Sequence, residues 1–240
     1  MLTDFHSHIL PGIDDGSTDV KMSLEMLRRE KDQGIERVVA TPHFYARYEN
    51  PERFLQRRSR AEETLRRSMA AEPDMPELLI GAEVRYFPGI AESEYLPKLM
   101  IQGTDSILIE LPAAPWPEAM LRELAEIWER RGITPIVAHI DRYIRPFRTG
   151  GIPKLLQELP VLVQANGEFF LERSTARLAM KLLKADQIQL LGSDCHNLTD
   201  RKPNLAEAVR RIEKKLGRSP IEKLLSYENL ALSARKSETE

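Results

Sequence analysis

The sequence predicts an α/β protein, an incomplete or distorted barrel of seven parallel strands surrounded by helices. Seven apolar, strand-like runs alternate with segments of helical periodicity. Six of the seven end on, or lie beside, a His, Asp or Glu at their C-terminal side, where βα barrels assemble their sites. An open doubly wound sheet gathers site residues near a switch point, and would not draw on the first, second, third, fourth, fifth and seventh strands together.

The first run carries Asp4-Phe5-His6-Ser7-His8. Histidines at i and i+2 of a strand share a face, about 7 Å apart along the backbone, and both can reach one ion. A polar loop with Pro11, Gly12, Asp14, Asp15 and Gly16 follows. Ser17 or Thr18 is placed to cap a helix whose Met22, Leu24, Met26 and Leu27 form an apolar stripe before Gly34 stops it. Arg37 to His43 is the second run. Pro51 to about Ala71, rich in Arg and Glu, reads as an exposed helix. Leu78 to Val84 is the third run and contains Glu83; Ser106 to Leu111 is the fourth and contains Glu110.

Met120, Leu121, Leu124, Ile127 and Trp128 predict an amphipathic helix from Pro117 to Arg131, closed by Gly132. It leads into the fifth run, Thr134 to His139. A short helix around Ile152 to Glu158 precedes the sixth run, Val161 to Asn166. A helix from about Ser174 to Lys184 precedes the seventh, Ile188 to Asp194, with His196 just beyond. Asn204 to Leu216 and Pro220 to Leu225 read as closing helices. With no internal repeat or linker composition, residues 1–234 read as a single domain and 235–240 as a flexible tail.

Composition removes several function classes. With 35 basic against 37 acidic residues, formal charge −2, nothing favours nucleic acid or an anionic membrane as partner. No run is apolar for the ~20 residues that a membrane helix needs, and the N-terminus lacks the pattern of a signal peptide, so no membrane insertion and a cytoplasmic location are expected. The single cysteine, Cys195, excludes an internal disulfide.

Taken singly, each of these histidines has an ordinary core or surface role, and Glu83 or Glu110 a salt bridge. All five histidines at strand ends, with two carboxylates in apolar runs, point to metal. Imidazole and carboxylate without a thiolate cluster suit zinc, manganese or iron. His6, His8, Asp15, His43, Glu83, Glu110, His139, Asp194 and His196 exceed what one ion can use, so two or three divalent ions are expected. Such ions generate a hydroxide nucleophile and clamp phosphoryl oxygens, which points to phosphate-ester hydrolysis. Guanidinium forks are then needed on the phosphate. Arg142 and Arg201 leave from ligand-bearing loops, and Arg47 and Arg85 rank behind them. Cys195 to Arg201 also has Cys-x5-Arg spacing, but the intervening loop has no glycine to cradle phosphate and places Asp200 beside the anion.

These residues resemble the polymerase and histidinol phosphatase (PHP) superfamily, and within it the bacterial metal-dependent protein tyrosine phosphatases encoded with capsule and exopolysaccharide genes. The likeness runs through Asp4 to His8, Asp14-Asp15-Gly16, Ala40 to His43, Gly81 to Arg85, Ile109 to Pro112, Ala138 to Tyr143 and Gly192 to Asn197. Asp141 and Cys195 depart from it, standing where glutamate and a small residue such as alanine are usual. The resemblance implies a distorted (β/α)7 barrel of PHP type with three metals, commonly manganese or iron. One would be held by His6, His8, Glu83 and Asp194, a second by Glu83, Glu110 and His139, and a third by Asp15, His43 and His196. The residues alone leave Asp14 and Asp15 open; the resemblance favours Asp15. It also implies Arg142 and Arg201 on the phosphate, and as substrate a tyrosine-phosphorylated bacterial tyrosine kinase that regulates polysaccharide synthesis. A small phosphomonoester such as histidinol phosphate is the alternative substrate, and a metal-stabilised binding module the non-catalytic one.

Overall fold

The computed structural model of the chain describes residues 2–147 and 151–234, so the tail expected over 235–240 lies outside them. Strands β1 (Thr3–Ser7), β2 (Arg37–Ala40) and β4 (Glu77–Ile80) form one parallel sheet. Strands β3 (His43–Phe44), β5 (Glu83–Arg85), β6 (Ser106–Glu110), β7 (Thr134–Val137), β8 (Leu162–Asn166) and β9 (Leu190–Gly192) form a second, in chain order. All seven apolar runs contribute, but the second and third each break into two short strands. Pro42, which has no N–H to give a ladder, lies between β2 and β3, and Gly81 and Ala82 separate β4 from β5. The chain beyond β9 lies along β1: Asp194 N–H donates to the His6 carbonyl at 2.7 Å and His8 N–H to the Cys195 carbonyl at 2.9 Å. The result is an α/β fold whose parallel sheet curls into a half-barrel. It has nine strands among the described residues, not the seven continuous ones expected.

Helices α1 (Val20–Asp32), α2 (Pro51–Met69), α3 (Leu96–Leu99), α4 (Glu118–Arg131), α5 (Asp141–Phe147), α6 (Ile152–Gln157), α7 (Gly167–Leu171), α8 (Ala176–Lys184), α9 (Leu205–Leu216) and α10 (Ser219–Ala231) connect and cover the strands. The cap of α1 is Asp19, whose carboxylate accepts from Met22 N–H at 2.9 Å. Ser17 instead donates to the Asp19 carbonyl at 2.9 Å, which sets the turn before the helix. Gly132 closes α4 with φ 65°, as its position after the last apolar residue predicts.

Strand alternation divides the apolar residues between two cores. Phe5, Val39, Leu108, Ile136, Leu162 and Leu190 pack together inside the curl. Ile107, Ile109, Val137, Val163 and Leu191 face outward into the core shared with the helices. Toward the C-terminal strand ends the inward positions turn polar: Leu108 is followed by Glu110, and Leu162 by Gln164 and Asn166. The boundary between these layers sets the floor of the site.

Helix α10 closes the opposite end, with Ala231 in the inner core and the Ser106 hydroxyl donating to its carbonyl at 2.7 Å. Glu228 of this helix accepts from Thr3 N–H at 3.1 Å. Burial outweighs that hydrogen bond and pushes the Glu228 carboxyl up from 4.5 to about 7. The folded chain therefore binds this proton more tightly than the unfolded chain. Stability from this group is full below about pH 4.5 and falls until about pH 7, by up to ~3 kcal/mol. Glu228→Gln is expected to raise the urea midpoint at pH 8 and leave it nearly unchanged at pH 4.5.

Candidate metal centre

The C-terminal ends of β1, β6 and β7, the first residues of β3 and β5 just past the ends of β2 and β4, and the loop after β9 bring His6, His8, His43, Glu83, Glu110, His139, Asp194 and His196 together; Asp15 arrives from the loop after β1. Side-chain ligand atoms within 4.8 Å of one another define four overlapping groups here: His6, His8 and Asp194; His6, Glu83 and His139; His43, Glu83 and Glu110; and His8, Asp15, His43 and His196. All nine residues singled out as ligands fall in at least one group. Glu83, shared by two, is 1% exposed.

Three imidazoles are held by the nitrogen that faces away from the cluster. Nδ1 of His8 meets Asp14 Oδ2 at 2.8 Å, Nδ1 of His6 meets Gln164 Oε1 at 3.3 Å, and Nδ1 of His196 meets the Asp194 carbonyl at 2.9 Å. Each acceptor assigns the ring proton to Nδ1 and leaves the Nε2 lone pair facing inward, as in metal-ligating histidines. His6 Nε2 and His8 Nε2 are 3.1 Å apart, each 3.3 Å from Glu83 Oε2 and 3.5 and 3.4 Å from Asp194 Oδ1. Four acceptor atoms at these separations repel one another unless a cation sits among them. Ligands at about 2.0–2.2 Å from one divalent ion are themselves about 3.0–3.5 Å apart. The donor set fits.

Unmet polar atoms around the same point agree. His43 Nδ1 and Glu83 Oε2 lie 2.8 Å apart, yet neither has a hydrogen-bond partner, and His139 Nδ1 and His196 Nε2 have none either. His139 Nε2 faces both Glu83 Oε1 at 2.7 Å and Arg142 Nη1 at 3.3 Å, and one nitrogen cannot donate to the first and accept from the second. Burial pushes the Glu83 carboxyl up, but His6, His139 and His43 more than reverse this and hold it well below the carboxylate range. Burial raises Asp194 too, and His6, His8 and Arg142 hold it low. Burial would lower His6 and His8, yet the surrounding carboxylates raise both, so the cluster attracts positive charge. Burial and the neighbouring His8 push His196 down to about 4, which keeps its imidazole neutral.

Asp14 and Asp15 take different positions. Asp14 is partly buried, accepts from His43 N–H at 3.1 Å as well as from His8, and is held at about 2 because His8 outweighs its burial. Asp15 turns outward, with Oδ1 3.3 Å from His43 Nε2 and 3.5 Å from His196 Nε2. This loop can lie on β1 only because residue 16 is glycine: a Cβ there would stand 2.2 Å from the His8 carbonyl oxygen. Left-handed backbone at His139 (φ 32°) and Asp194 (φ 52°) adds local strain where function needs a fixed direction.

Arg142 and Arg201 both reach Asp194, Arg142 at Oδ2 and Arg201 at Oδ1 (2.8 Å for Arg201). Arg85 pairs with Glu110 at 2.9 Å, whereas Arg47 makes no ion pair with the cluster and its guanidinium lies over Tyr48. Gln164 and Asn166 were not among the sequence candidates. Gln164 Oε1 accepts from His139 N–H at 2.7 Å, Gln164 Nε2 donates to Asn166 at 3.0 Å, and Asn166 Nδ2 donates to Asp194 Oδ2 at 3.0 Å. Polar residues in an apolar strand were the available signal. Cys195 is fully buried, and burial together with the charges of Glu30 and Asp4 pushes its thiol well above the usual range. A thiolate nucleophile is not available there.

A family model described as capsular polysaccharide synthesis, CpsB/CapC, matches residues 2–232. The chain belongs to the CpsB/CapC family. Among relatives of this CpsB/CapC protein, the tyrosine-protein phosphatase YwqE of Bacillus subtilis is 29% identical, over 90% of this chain and 85% of its own. The tyrosine-protein phosphatase CpsB of Streptococcus pneumoniae is 28% identical, over 93% and 94%. A chain from the crystal structures of YwqE and CpsB, described as metal-dependent tyrosine phosphatases, superposes with a TM-score of 0.82 at 27% identity, covering 96% of this chain and 94% of that one. Histidinol phosphate phosphatase of Lactococcus lactis, solved with zinc, L-histidinol and phosphate, shares the fold: TM-score 0.57 at 16% identity, over 90% and 94%. No helix among the described residues is long and apolar enough to cross a membrane.

Proposed function

We propose that this chain is a metal-dependent protein-tyrosine phosphatase. Its substrate is phosphotyrosine on a bacterial tyrosine kinase of capsular or exopolysaccharide synthesis, and it works in the cytoplasm as one domain over residues 1–234. The convergence of inward-facing imidazoles and ionised carboxylates carries this reading. The family model and the relatives' names support the substrate class. The two sheets then count as one seven-run barrel, with β2 and β3, and β4 and β5, as broken strands.

His6, His8, Glu83 and Asp194 would hold one divalent ion, Glu83, Glu110 and His139 a second, and Asp15, His43 and His196 a third, manganese or iron by preference. Bound divalent ions supply a water-derived nucleophile at neutral pH and neutralise phosphoryl charge. Asp14, Gln164 and the Asp194 carbonyl hold the Nδ1 protons of His8, His6 and His196, so their Nε2 atoms stay free and aimed. Arg142 and Arg201 bring two guanidinium groups to the same carboxylate, and their remaining N–H groups would serve non-bridging phosphate oxygens. Burial, then the charges of Glu110 and Glu83, pushes the Tyr45 phenol up to about 12, so it keeps its proton beside His43.

Cys195→Ser is expected to keep turnover within about threefold, a change of ~0.6 kcal/mol, while chelation abolishes it. The opposite pair of results would restore the cysteine mechanism. The substrate class is tested by kcat/KM on a phosphotyrosine peptide, histidinol phosphate and a sugar phosphate, with the peptide expected to exceed both. Preference for histidinol phosphate would replace this reading with the small-molecule alternative.

A further inference from the structure

On one side the cluster continues into a groove of ≈ 510 Å³ lined by Tyr45, Arg47, Tyr48, Arg85, Tyr86 and Phe87. Pockets that enclose a small ligand have volumes of about 300–1,000 Å³. Two contacts join it to the metal centre: the Tyr45 ring stacks on His43 at 5.3 Å, and Arg85 Nη1 lies 2.9 Å from Glu110 Oε2. Its lining contains aromatic rings and two arginines and no acidic residue.

The two arginines are in different states. Arg85 is neutralised by Glu110, whereas exposed Arg47 makes no ion pair with any described residue and sits 5.9 Å from the centroid of Tyr48. The Tyr48 side chain is 81% exposed. An unpaired guanidinium beside an exposed ring is suited to an arriving carboxylate and the chain that bears it. Arg47 is four positions beyond His43, so their Cα atoms lie no more than about 14 Å apart, the span of about four extended peptide residues.

We propose that this groove is the subsite for the polypeptide flanking the scissile phosphotyrosine, with Arg47 binding an Asp or Glu side chain within about four residues of it and Tyr48 covering the intervening chain. The inference rests on the phosphatase reading and adds a sequence preference to it. Arg47 and Tyr48 stand outside the cluster, so a small aryl phosphate does not depend on them.

The test compares kcat and KM of metal-replete protein on p-nitrophenyl phosphate and on two phosphotyrosine peptides that differ only in acidic or basic flanking residues. Wild-type protein is expected to favour the acidic peptide by about tenfold, through KM. R47E should erase or invert that preference and Y48A should weaken it, with p-nitrophenyl phosphate turnover within about twofold of wild type in both. An acidic-to-basic ratio that is near one in wild type, or unchanged in the variants, overturns the groove assignment alone. Wild-type protein that hydrolyses none of the three esters overturns the phosphatase reading and this proposal with it.

Discussion

His6→Ala is expected to lower phosphotyrosine hydrolysis at saturating manganese by at least about 10³-fold, with an unchanged far-UV spectrum. His6 belongs to two of the ligand groups, so its loss opens both. Metal neutralisation of phosphoryl charge contributes several kcal/mol, and about 1.4 kcal/mol is tenfold in rate, which gives the thousandfold estimate. The fold should survive because the apolar inner core, from Phe5 to Leu190, is complete without the imidazole. Metal content should fall by at least one equivalent per chain. A variant that keeps its metal and its rate would remove His6 from the site.

Arg142→Lys and Arg201→Lys are each expected to lower kcat by about 10²–10³-fold, the usual cost of losing a positioned donor to a developing oxyanion. Lysine keeps the charge but not the planar fork, so the loss reports geometry. Because both arginines also hold Asp194, metal content must be measured alongside. Unchanged metal with reduced kcat supports a role on the phosphate. Reduced metal with kcat restored by excess manganese would instead make these arginines supports for Asp194.

Much of this site was legible in the sequence because a parallel strand delivers its C-terminal residue to one end of a barrel whatever happens between strands. The histidines after β1, β2 and β7 needed only that rule. Other features depended on contacts between distant segments. Gln164 and Asn166 were hidden because an apolar run does not say which way its polar residues face; the alternation from Leu162 decides it. Asp14 and Asp15 look equivalent in sequence, and only their partners in the fold separate them: His8 Nδ1 and His43 N–H for Asp14, the Nε2 atoms of His43 and His196 for Asp15. Asp19 caps α1 because Ser17 is already committed to the turn. Pro42 and Gly81 are visible breakers inside the second and third runs, but the assignment of the two halves of each run to different sheets depends on pairing with distant strands. The groove beside His43 is built from residues 45–48 and 85–88, which share no sequence pattern.

The proposed function requires that the cluster hold divalent ions and that hydrolysis depend on them. Elemental analysis before and after exhaustive chelation, with phosphotyrosine-peptide hydrolysis measured at each step, tests it most directly. Two to three ions per chain are expected, with loss of hydrolysis as they are removed and recovery when manganese or iron is returned. Hydrolysis that survives complete metal removal would contradict it.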